Sequence, residues 1–402
     1  MIEKLHIGKN GFSDIKQLVR HITEKNRVIK AAPANDISAV FPINEHAKNL
    51  HPDFTETTIA DITVHDGAQA KTFVLSAPKA AYFKAGQYLS VSLKIGNSVV
   101  TRPYSICSAP ADAKEGRYAI TVRRTADGFA SDYILDNWKI GDKVTVSEPL
   151  GNFCYEELRD EKNVIALAGG SGITPFLSMA KAISDGTEDF NLTILYGCKT
   201  ENSILFKDEL DNISANCDKV KVVYVLSDEK KKGFANGFIN AKLISKYAPA
   251  EEKYSIFMCG PEAMYRFAEG ETAKLGLDRK HVRRELLGVT KTIWEHDGYP
   301  TDKKGKEFSV TVRIGTKKTT IPASADESLL ASIERAGIAA PSRCRSGECG
   351  WCRSKLLSGD VFIPAENDEA RRASDKENGY IHPCAAFPLS DIVIEVPATY
   401  IK

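Results

Sequence analysis

The stretch CRSGECGWC, residues 344–352, decides the fold of the C-terminal part of this chain. Its three cysteines are spaced C-x4-C-x2-C, and a fourth cysteine follows at position 384. This is the ligand spacing of a plant-type [2Fe–2S] cluster, for which one tight loop supplies three thiolates and the fold brings in the fourth. The predicted metal ligands are Cys344, Cys349, Cys352 and Cys384.

Two glycines in the same stretch suit a cluster. Gly347 and Gly350 let the backbone come close to inorganic sulfides, so that amide N–H groups can donate to them. The alternatives are a structural zinc site or redox-inert thiols. Zinc usually takes paired C-x2-C knuckles, whereas this loop has a single pair that follows a four-residue gap. The sequence therefore favours the cluster.

The residues around the loop predict a small α+β domain. Apolar residues alternate over 308–314, as in a strand. Ser324 and Glu327 have the spacing of a capping box ahead of an apolar helix, and Gly337 is a suitable stop. A hairpin, a helix, a cysteine loop and a late cysteine resemble the β-grasp ferredoxins over residues 307–402.

Composition excludes several classes of protein. The 402 residues are 43% apolar, which is enough for several buried cores and argues against a disordered chain. Lys plus Arg total 54 and Asp plus Glu total 53, so the basic excess of a nucleic-acid binder is missing. Because neither a signal peptide nor a run of about 18 apolar residues is visible, we expect no membrane span and a cytoplasmic location. The other five cysteines do not form a secreted disulfide pattern.

The middle of the chain, residues 157–290, alternates between strands and helices, with a helix expected at 203–213 and strands at 220–226 and 254–259. This alternation predicts a parallel sheet whose ligands bind at the carboxyl ends of the strands. The turn GGSGITP, residues 169–175, joins a buried strand to a helix, where backbone amides and the helix N-terminus suit a pyrophosphate. A glycine turn alone is weak, because many α/β proteins have one. The tripeptide CGP at 259–261 ends a later strand and adds specificity.

A third motif, TRPYSICSAP, lies upstream in a β-rich region at about residues 56–153. Arg102 can pair with a phosphate, Tyr104 can stack on a flat ring and Ser105 can hydrogen-bond a ring nitrogen. Taken alone, these residues are equally consistent with an ordinary strand. The three motifs in this order are specific.

R-x-Y-S, G-G-x-G-I-T-P and C-G-P together resemble the ferredoxin–NADP reductase superfamily, over about residues 54–402. With the C-terminal cysteines, the chain is similar to the iron–sulfur flavoprotein reductases that supply electrons to oxygenases. The resemblance implies an antiparallel flavin-binding β-barrel, an α/β nicotinamide domain with a parallel sheet, and a β-grasp [2Fe–2S] domain. The predicted divisions are an N-terminal extension with a helix, the barrel, the nicotinamide domain, a linker and the ferredoxin domain, at 1–53, 54–156, 157–290, 291–306 and 307–402.

The resemblance also implies roles for single residues. Arg102 contacts the flavin phosphate, Tyr104 packs on the isoalloxazine and Ser105 lies near its reactive nitrogen. Gly128 and Ser131 match a G-x-x-S motif that binds the FAD pyrophosphate, which favours FAD over FMN. The nicotinamide dinucleotide is bound by Gly170, Gly172, Ile173 and Thr174, and its nicotinamide ring lies beside Cys259 and Gly260. Tyr104, Ser105 and Cys259 are thus the predicted catalytic residues.

The choice between NADH and NADPH depends on charge. A 2′-phosphate needs a basic partner, whereas a free ribose diol suits an acid. Relatives that use NADP commonly carry Ser-Arg after the third strand, and here Ser227 is followed by Asp228. NADH is therefore preferred. Three lysines at 230–232 keep NADPH as the alternative, unless they form only a solvated loop.

These features predict a reductase that passes electrons from NADH through FAD and the cluster to a separate acceptor, an oxygenase component or another metalloprotein. The alternatives are reverse flow that generates NADH, and a passive [2Fe–2S] carrier with an inactive flavin domain. The polar linker is expected to be mobile. Arg343, Arg345 and Arg353 either steer an acidic face or bond locally. Ile15, Leu18, Val19 and Ile22 predict an amphipathic N-terminal helix capped by Ser13, which packs on the body or docks a partner.

Overall fold

The computed structural model describes residues 11–31, 54–126, 128–285, 287–288 and 290–398. The chain divides into two compact units, Met1–Pro52 and Asp53–Lys402. The described residues of the first unit form one helix, α1 (Gly11–Ala31), in the part of the chain where the sequence predicts a helix. Ser13 lies inside α1 and is not its cap, because the helix begins two residues earlier. No helix in the described part of the chain is long and apolar enough to cross a membrane.

Six antiparallel strands begin the larger unit. They are β1 (Phe54–His65), β2 (Ala70–Ser76), β3 (Tyr88–Ile95), β4 (Ser98–Ser105), β5 (Arg117–Arg123) and β6 (Lys143–Ser147). Their order is β4-β3-β6-β1-β2-β5. A bridge between Ile106 and Ile120 joins the two outer strands, so the sheet curls into the predicted barrel. The barrel interior holds buried side chains such as Phe73, Leu89 and Val91. A helix, α2 (Phe129–Asn137), lies between β5 and β6.

The predicted parallel sheet follows the barrel. Its strands are β7 (Asn163–Gly169), β8 (Asn191–Cys198), β9 (Val220–Leu226), β10 (Ala235–Asn236), β11 (Tyr254–Cys259) and β12 (Val282–Arg284). The intervening helices are α3 (Thr174–Ser184), α4 (Lys207–Asn216), α5 (Ala241–Tyr247) and α6 (Glu262–Ala273). In the order β10-β9-β8-β7-β11-β12, the chain runs from β7 outward through β8, β9 and β10 on one side. It then crosses to the other side of β7 for β11 and β12. The carboxyl ends of β7 and β11 therefore form the switch point at which such sheets bind ligands.

The C-terminal part forms a five-stranded mixed sheet. Its elements are β13 (Glu307–Ile314), β14 (Lys317–Ser324), α7 (Leu329–Arg335), β15 (Ser354–Ser358), β16 (Val361–Phe362), α8 (Ala365–Ala370), α9 (Ala373–Glu377), β17 (Tyr380–Ile381), β18 (Phe387–Pro388) and β19 (Ile392–Glu395). The large sheet has the order β14-β13-β19-β15-β17, and β16 pairs with β18. Buried Leu329, Leu330 and Ile333 on α7 pack in the core of this sheet.

The start of α7 corrects one sequence prediction. Its N-cap is Ser328, whose side chain accepts the N–H of Ala331 at 3.4 Å. Ser324 instead ends β14, so the proposed Ser324–Glu327 capping box does not form. The register of the strand takes precedence over the capping motif, because β14 pairs with β13 up to Ser324. Gly337 follows α7 with φ +73°, as expected for a left-handed stop.

Residues 291–306 are packed, contrary to the expected mobile tether. Ile293 and Tyr299 are 0% and 6% exposed and form a small core with Phe387 of the C-terminal domain. The Tyr299 hydroxyl lies 3.3 Å from the Ala325 carbonyl oxygen. The mobility of this segment was predicted from its many polar residues. The burial of Ile293 and Tyr299 instead holds it against the neighbouring domain.

Candidate functional site

The glycine turn after β7 and the CGP tripeptide after β11 meet at the switch point. A Cβ on Gly172 would lie 2.1 Å from the Cys259 carbonyl oxygen, so only glycine fits there. A Cβ on Gly260 would lie 3.3 Å from the Gly169 Cα. Gly170 has φ +53°. The close approach of the two backbones explains why both motifs need glycine.

The barrel directs a cation at this turn. Arg123 ends β5, and a Cβ on Gly170 would lie 2.5 Å from its Nη1. The neighbouring Arg124 instead pairs with Asp132 at 3.3 Å and with Asp136. Arg123 was not singled out from sequence, since Arg-Arg at a strand end resembles ordinary surface charge. Its guanidinium can bind an anion held by the turn.

Two predicted catalytic residues from different domains meet at one buried carboxylate. The Ser105 hydroxyl donates to Glu285 Oε2 at 3.0 Å, and Cys259 Sγ lies 3.5 Å from the same oxygen. Glu285 directly follows β12, and its N–H donates to the Met258 carbonyl at 2.9 Å. Because β12 pairs in parallel with β11, Glu285 at the end of β12 lies at the switch point.

Burial changes the acid–base properties of this group. Desolvation raises the pKa of Glu285 to about 8, so the carboxyl group is mostly protonated at neutral pH. Desolvation, together with the nearby Glu285, also raises the pKa of the Cys259 thiol. Sequence reasoning missed Glu285. A Glu after a short strand carries no motif signal, and only the sheet places it beside Ser105 and Cys259.

The remaining predicted nucleotide residues lie at element ends. Gly128 is the N-cap of α2, and Ser131 Oγ lies 3.2 Å from Thr125 Oγ1 in its first turn. Ile173 and Thr174 lie at the start of α3, where the Thr174 hydroxyl donates to the Ser171 carbonyl at 3.0 Å. The amides at both helix starts suit phosphate groups.

Asp228 is exposed just beyond β9, at the carboxyl edge of the sheet. Its N–H donates to the Lys199 carbonyl at 2.9 Å, so β8 and β9 end together there. Lys231 forms an ion pair with Glu201. The acid is therefore accessible at the strand end, while one of the three neighbouring lysines is already paired.

Arg102 and Tyr104 lie in β4, at the boundary with the C-terminal domain. Tyr104 is partly buried against the barrel core. Arg102 Nη1 lies 3.4 Å from Oε2 of Glu334 in α7. The Thr101 hydroxyl beside it donates to the Ser342 carbonyl at 3.0 Å. The strand that carries R-x-Y-S thus contacts the domain that carries the four cysteines.

The cluster loop, residues 342–352, directs amides at its sulfur atoms. Gly347 N–H donates to Cys384 Sγ at 3.2 Å, and Cys349 N–H donates to Cys344 Sγ at 3.4 Å. Cys352 Sγ and Cys384 Sγ lie 3.3 Å apart. The structure thus brings the late cysteine to the loop. Cys344, Cys352 and Cys384 are buried, and Cys349 is exposed.

The donor set in this loop fits a [2Fe–2S] cluster. Its three cysteine sulfurs, the sulfur of Cys384 and the converging amides are groups of the kind that hold and tune such clusters. The buried Ser346 hydroxyl lies beside the Cys344 sulfur and has no oxygen or nitrogen partner among the described residues, so it can donate to sulfur. In the described part of the chain, no three His, Cys or acidic side chains are arranged to hold a single metal ion. The fit therefore rests on the donor chemistry of the loop.

The three arginines around the loop bond locally. Arg345 is 2% exposed and donates to Glu334 Oε1 at 2.6 Å, so it cannot steer an external partner. Arg353 donates to Asp375 Oδ1 at 2.6 Å, and Arg343 stacks 3.5 Å from the centre of the Trp351 ring. The steering hypothesis is wrong for Arg345, because the contact between domains buries it.

The barrel, the parallel sheet and the cysteine domain together define a pyridine-nucleotide oxidoreductase with flavin and iron–sulfur centres. Residues 61–155 match the oxidoreductase FAD-binding domain family, and residues 166–270 match the oxidoreductase NAD-binding domain family. Residues 312–389 match the 2Fe-2S iron-sulfur cluster binding domain family. The predicted cofactors FAD, NAD(P) and [2Fe–2S] are thereby confirmed.

The chain belongs to the ferredoxin–NADP reductase superfamily, and its relatives include reductase components of oxygenase systems. It is 31% identical over 356 residues to the ferredoxin reductase component of 3-ketosteroid-9-alpha-monooxygenase from Mycolicibacterium smegmatis, covering 84% of this chain and 95% of the relative. It is 26% identical over 335 residues to the glycine betaine monooxygenase reductase subunit of Chromohalobacter salexigens, covering 80% and 90%. The structure of phthalate dioxygenase reductase matches with a TM-score of 0.59 and 27% identity, covering 86% of this chain and 98% of that chain.

Proposed function

We propose that this chain is an NADH-dependent reductase that supplies electrons to a separate acceptor protein, an oxygenase component or another metalloprotein. One observation carries the proposal. Ser105 of the barrel and Cys259 of the nicotinamide domain meet at Glu285, while the same barrel strand bonds to the cluster loop. Nucleotide, flavin and cluster sites are thus adjacent within one unit, and a cytoplasmic location remains our prediction.

The predicted residue roles extend this proposal. At the flavin, Arg102 binds a phosphate, Tyr104 packs on the ring, Ser105 faces its reactive nitrogen, and Gly128 and Ser131 bind the pyrophosphate. At the nicotinamide nucleotide, the contacts come from Gly170, Gly172, Ile173 and Thr174, with Arg123 as an added anion ligand and Cys259 and Gly260 beside the ring. Cys344, Cys349, Cys352 and Cys384 hold the cluster. The family divisions lie within our proposed domain boundaries.

The protein's part in the reaction is positional and electrostatic. When bound, FAD would supply the chemistry that links a two-electron hydride donor to a one-electron cluster. Glu285 holds Ser105 and Cys259 in register across two domains. The protonated form of Glu285 keeps a negative charge away from a ring that gains electron density. Burial of Cys259 at the end of β11 keeps water from the same region.

Asp228 supports NADH as the donor. Its exposed carboxylate repels a 2′-phosphate and can accept hydrogen bonds from a free ribose diol. Steady-state KM values for NADH and NADPH test this preference. A lower KM for NADH that is lost in Asp228→Arg supports it, whereas a preference of the unaltered chain for NADPH contradicts it.

The exposed edge of the cluster loop suits electron exit. Cys349 is exposed, and Trp351 beside it is 41% exposed. Adding NADH to the purified chain should bleach the flavin bands and the cluster shoulder together. A cluster spectrum without flavin would instead identify a passive carrier.

Co-purification followed by an electron-transfer assay with the captured protein identifies the acceptor.

Ser346→Ala is expected to lower the reduction potential of the cluster. The buried hydroxyl lies beside the Cys344 sulfur and can donate to sulfur at the cluster. Such donors stabilise the reduced, more negative cluster. A loss of about 1 kcal/mol corresponds to roughly 40 mV for one electron. A potentiometric titration followed by EPR measures the shift. Ser332→Ala, which removes a buried hydroxyl bonded to Glu327 Oε2 at 2.7 Å in the same domain, is the control. An equal potential in Ser346→Ala and the unaltered chain contradicts the assignment.

A histidine clamp is expected to make stability depend on pH. His296 Nε2 lies 3.0 Å from Glu262 in α6, and Nδ1 lies 3.3 Å from Glu366 in α8. Hydrogen bonds to Glu262 and Glu366 raise the pKa of His296 to about 9. Its contribution to stability is therefore complete below about pH 6.5 and is lost as the pH rises through about 9.

Thermal unfolding from pH 6 to pH 10 tests the clamp. The gap in Tm between the unaltered chain and His296→Gln should narrow over that range. His281→Gln is the matched control, because His281 contacts Glu161 within the nicotinamide domain at 3.5 Å. A gap in Tm that does not vary with pH would exclude the clamp.

A further inference from the structure

One carboxylate joins the barrel to the cluster loop. Glu334 Oε2 lies 3.4 Å from Arg102 of the barrel, and Glu334 Oε1 accepts from Arg345 of the cluster loop at 2.6 Å. The Arg102, Glu334 and Arg345 side chains are 24%, 4% and 2% exposed. We call these three residues the bridging triad.

The triad orients Arg102 for an anion. Glu334 is held by Arg345 and contacts one side of the Arg102 guanidinium group, so the other side is presented in a fixed orientation. A group that is already oriented loses less conformational entropy when it binds a ligand. Burial and the nearby Arg345 lower the pKa of Arg102 to about 10, and an anion in contact with this partly buried cation stabilises its charged form.

The geometry leaves Arg102 able to bind that anion. Its contacts to the Thr101 carbonyl, at 2.8 Å, and to Glu334 both use Nη1. Among the described contacts, Nε and Nη2 remain available, and a guanidinium binds phosphate through two such donors. The R-x-Y-S motif already assigns a flavin phosphate to Arg102.

Docking of the ferredoxin domain maintains the triad. Gly337, just after α7, packs on the turn between β3 and β4, where an added Cβ would lie 3.2 Å from the Asn97 carbonyl oxygen. The bond from Thr101 to Ser342 closes the other side of this contact. Separating the domains would remove both Glu334 and Arg345 from Arg102.

We propose that flavin binding and ferredoxin docking are coupled through the bridging triad, because the docked ferredoxin domain orients Arg102 for the flavin phosphate. This inference rests on the proposed function. Coupling is reciprocal: flavin strengthens docking, and docking tightens flavin binding by the same factor. A chain without flavin would thereby hold its cluster domain loosely, and loading would bring the electron acceptor into place beside the donor.

Hydrogen–deuterium exchange on the full-length, cluster-containing chain tests docking. The deflavinated protein is compared with and without added FAD. FAD should slow exchange about tenfold at residues 95–98 and 333–338, which face each other across the contact but belong to different domains. Exchange at these segments that is unchanged by bound FAD overturns the proposal.

Flavin affinity supplies the reciprocal measurement, by fluorescence titration of the deflavinated chain. Arg345→Gln removes the cation that holds Glu334 beside Arg102 and should weaken FAD binding about tenfold, and Arg345→Lys should restore most of it. Arg335→Gln is the control, since Arg335 pairs with Glu327 on the outer side of α7. Wild-type affinity in Arg345→Gln overturns the proposal.

A bulky substitution on the barrel side of the contact tests docking without changing any residue of the cluster loop. We call it the wedge. Asn97 is exposed, and Asn97→Trp should separate the domains and weaken FAD binding to the same degree, while Asn97→Ala should not. These two variants test the coupling even if Arg345→Gln, which alters the cluster loop, loses its iron. Unchanged affinity in a chain that the wedge has opened contradicts the coupling. A chain that binds no FAD at all would refute the proposed function, whereas FAD binding without these responses refutes only the coupling.

Discussion

Glu285→Ala should slow reduction of the flavin by NADH about a hundredfold. The carboxyl group holds Ser105 at 3.0 Å and Cys259 at 3.5 Å, and these residues come from two different domains. Without it, neither side chain keeps its place, and misplacement by about 1 Å costs a factor of this size. Stopped-flow absorbance at the flavin band measures the rate. Iron content and FAD stoichiometry show whether the cofactors are retained.

The pH dependence separates a positioning role from loss of structure. Because the pKa of Glu285 is raised to about 8, the carboxyl group ionises between pH 7 and pH 9. Its negative charge then opposes the gain of electron density on the flavin, so the rate should fall as the pH rises. Glu285→Gln keeps the neutral form and should react within tenfold of the unaltered chain at pH 7, with a flat profile. A sloping profile that persists in Glu285→Gln would rule out this assignment.

Cys384→Ala should abolish cluster-dependent electron delivery while sparing the flavin. Cys384 is 3% exposed and accepts the Gly347 N–H at 3.2 Å, so it anchors the loop from a distant part of the chain. Three thiolates do not replace the four that a [2Fe–2S] cluster takes. Reduction of a cluster-dependent acceptor should fall more than a hundredfold, as expected when an electron-transfer centre is missing. Flavin reduction by NADH should stay within twofold.

Cys217→Ser is the matched control for that experiment. Cys217 is partly exposed and lies after α4, away from the cluster loop. It should leave the iron content, the EPR signal and both electron-transfer rates unchanged. If Cys384→Ala retains the EPR signal of the cluster, the ligand assignment is wrong.

Local chemistry made most of the architecture predictable. The strands at 220–226 and 254–259 lie where the sequence placed them, because a buried parallel strand is a continuous apolar run. The helix expected at 203–213 begins later, at Lys207, because a 3-10 turn over Glu201–Ser203 precedes it. Boundaries of this kind depend on hydrogen bonds that a pattern of apolar residues does not encode.

Contacts between domains account for the errors. Arg345 was expected on the surface because arginine is usually exposed, yet α7 supplies Glu334 and the barrel covers the pair. The linker was expected to be mobile because most of its residues are polar, yet Ile293 and Tyr299 pack against Phe387. In each case burial depends on contacts with another domain, and the residues near the buried side chain in the sequence do not indicate those contacts.

The sequence by itself determined the three cofactor-binding domains and the spacing of the four cysteines that we propose as cluster ligands. Those features depend on spacing and residue type within short segments: C-x4-C-x2-C, glycines at a strand–helix turn, and R-x-Y-S. Only the tertiary structure placed Glu285 between Ser105 and Cys259 and joined Arg102 to Arg345 through Glu334. The physical reason is that a buried polar group must be satisfied by whatever the fold brings to it. Here the partners come from separate domains, so their meeting is a property of packing.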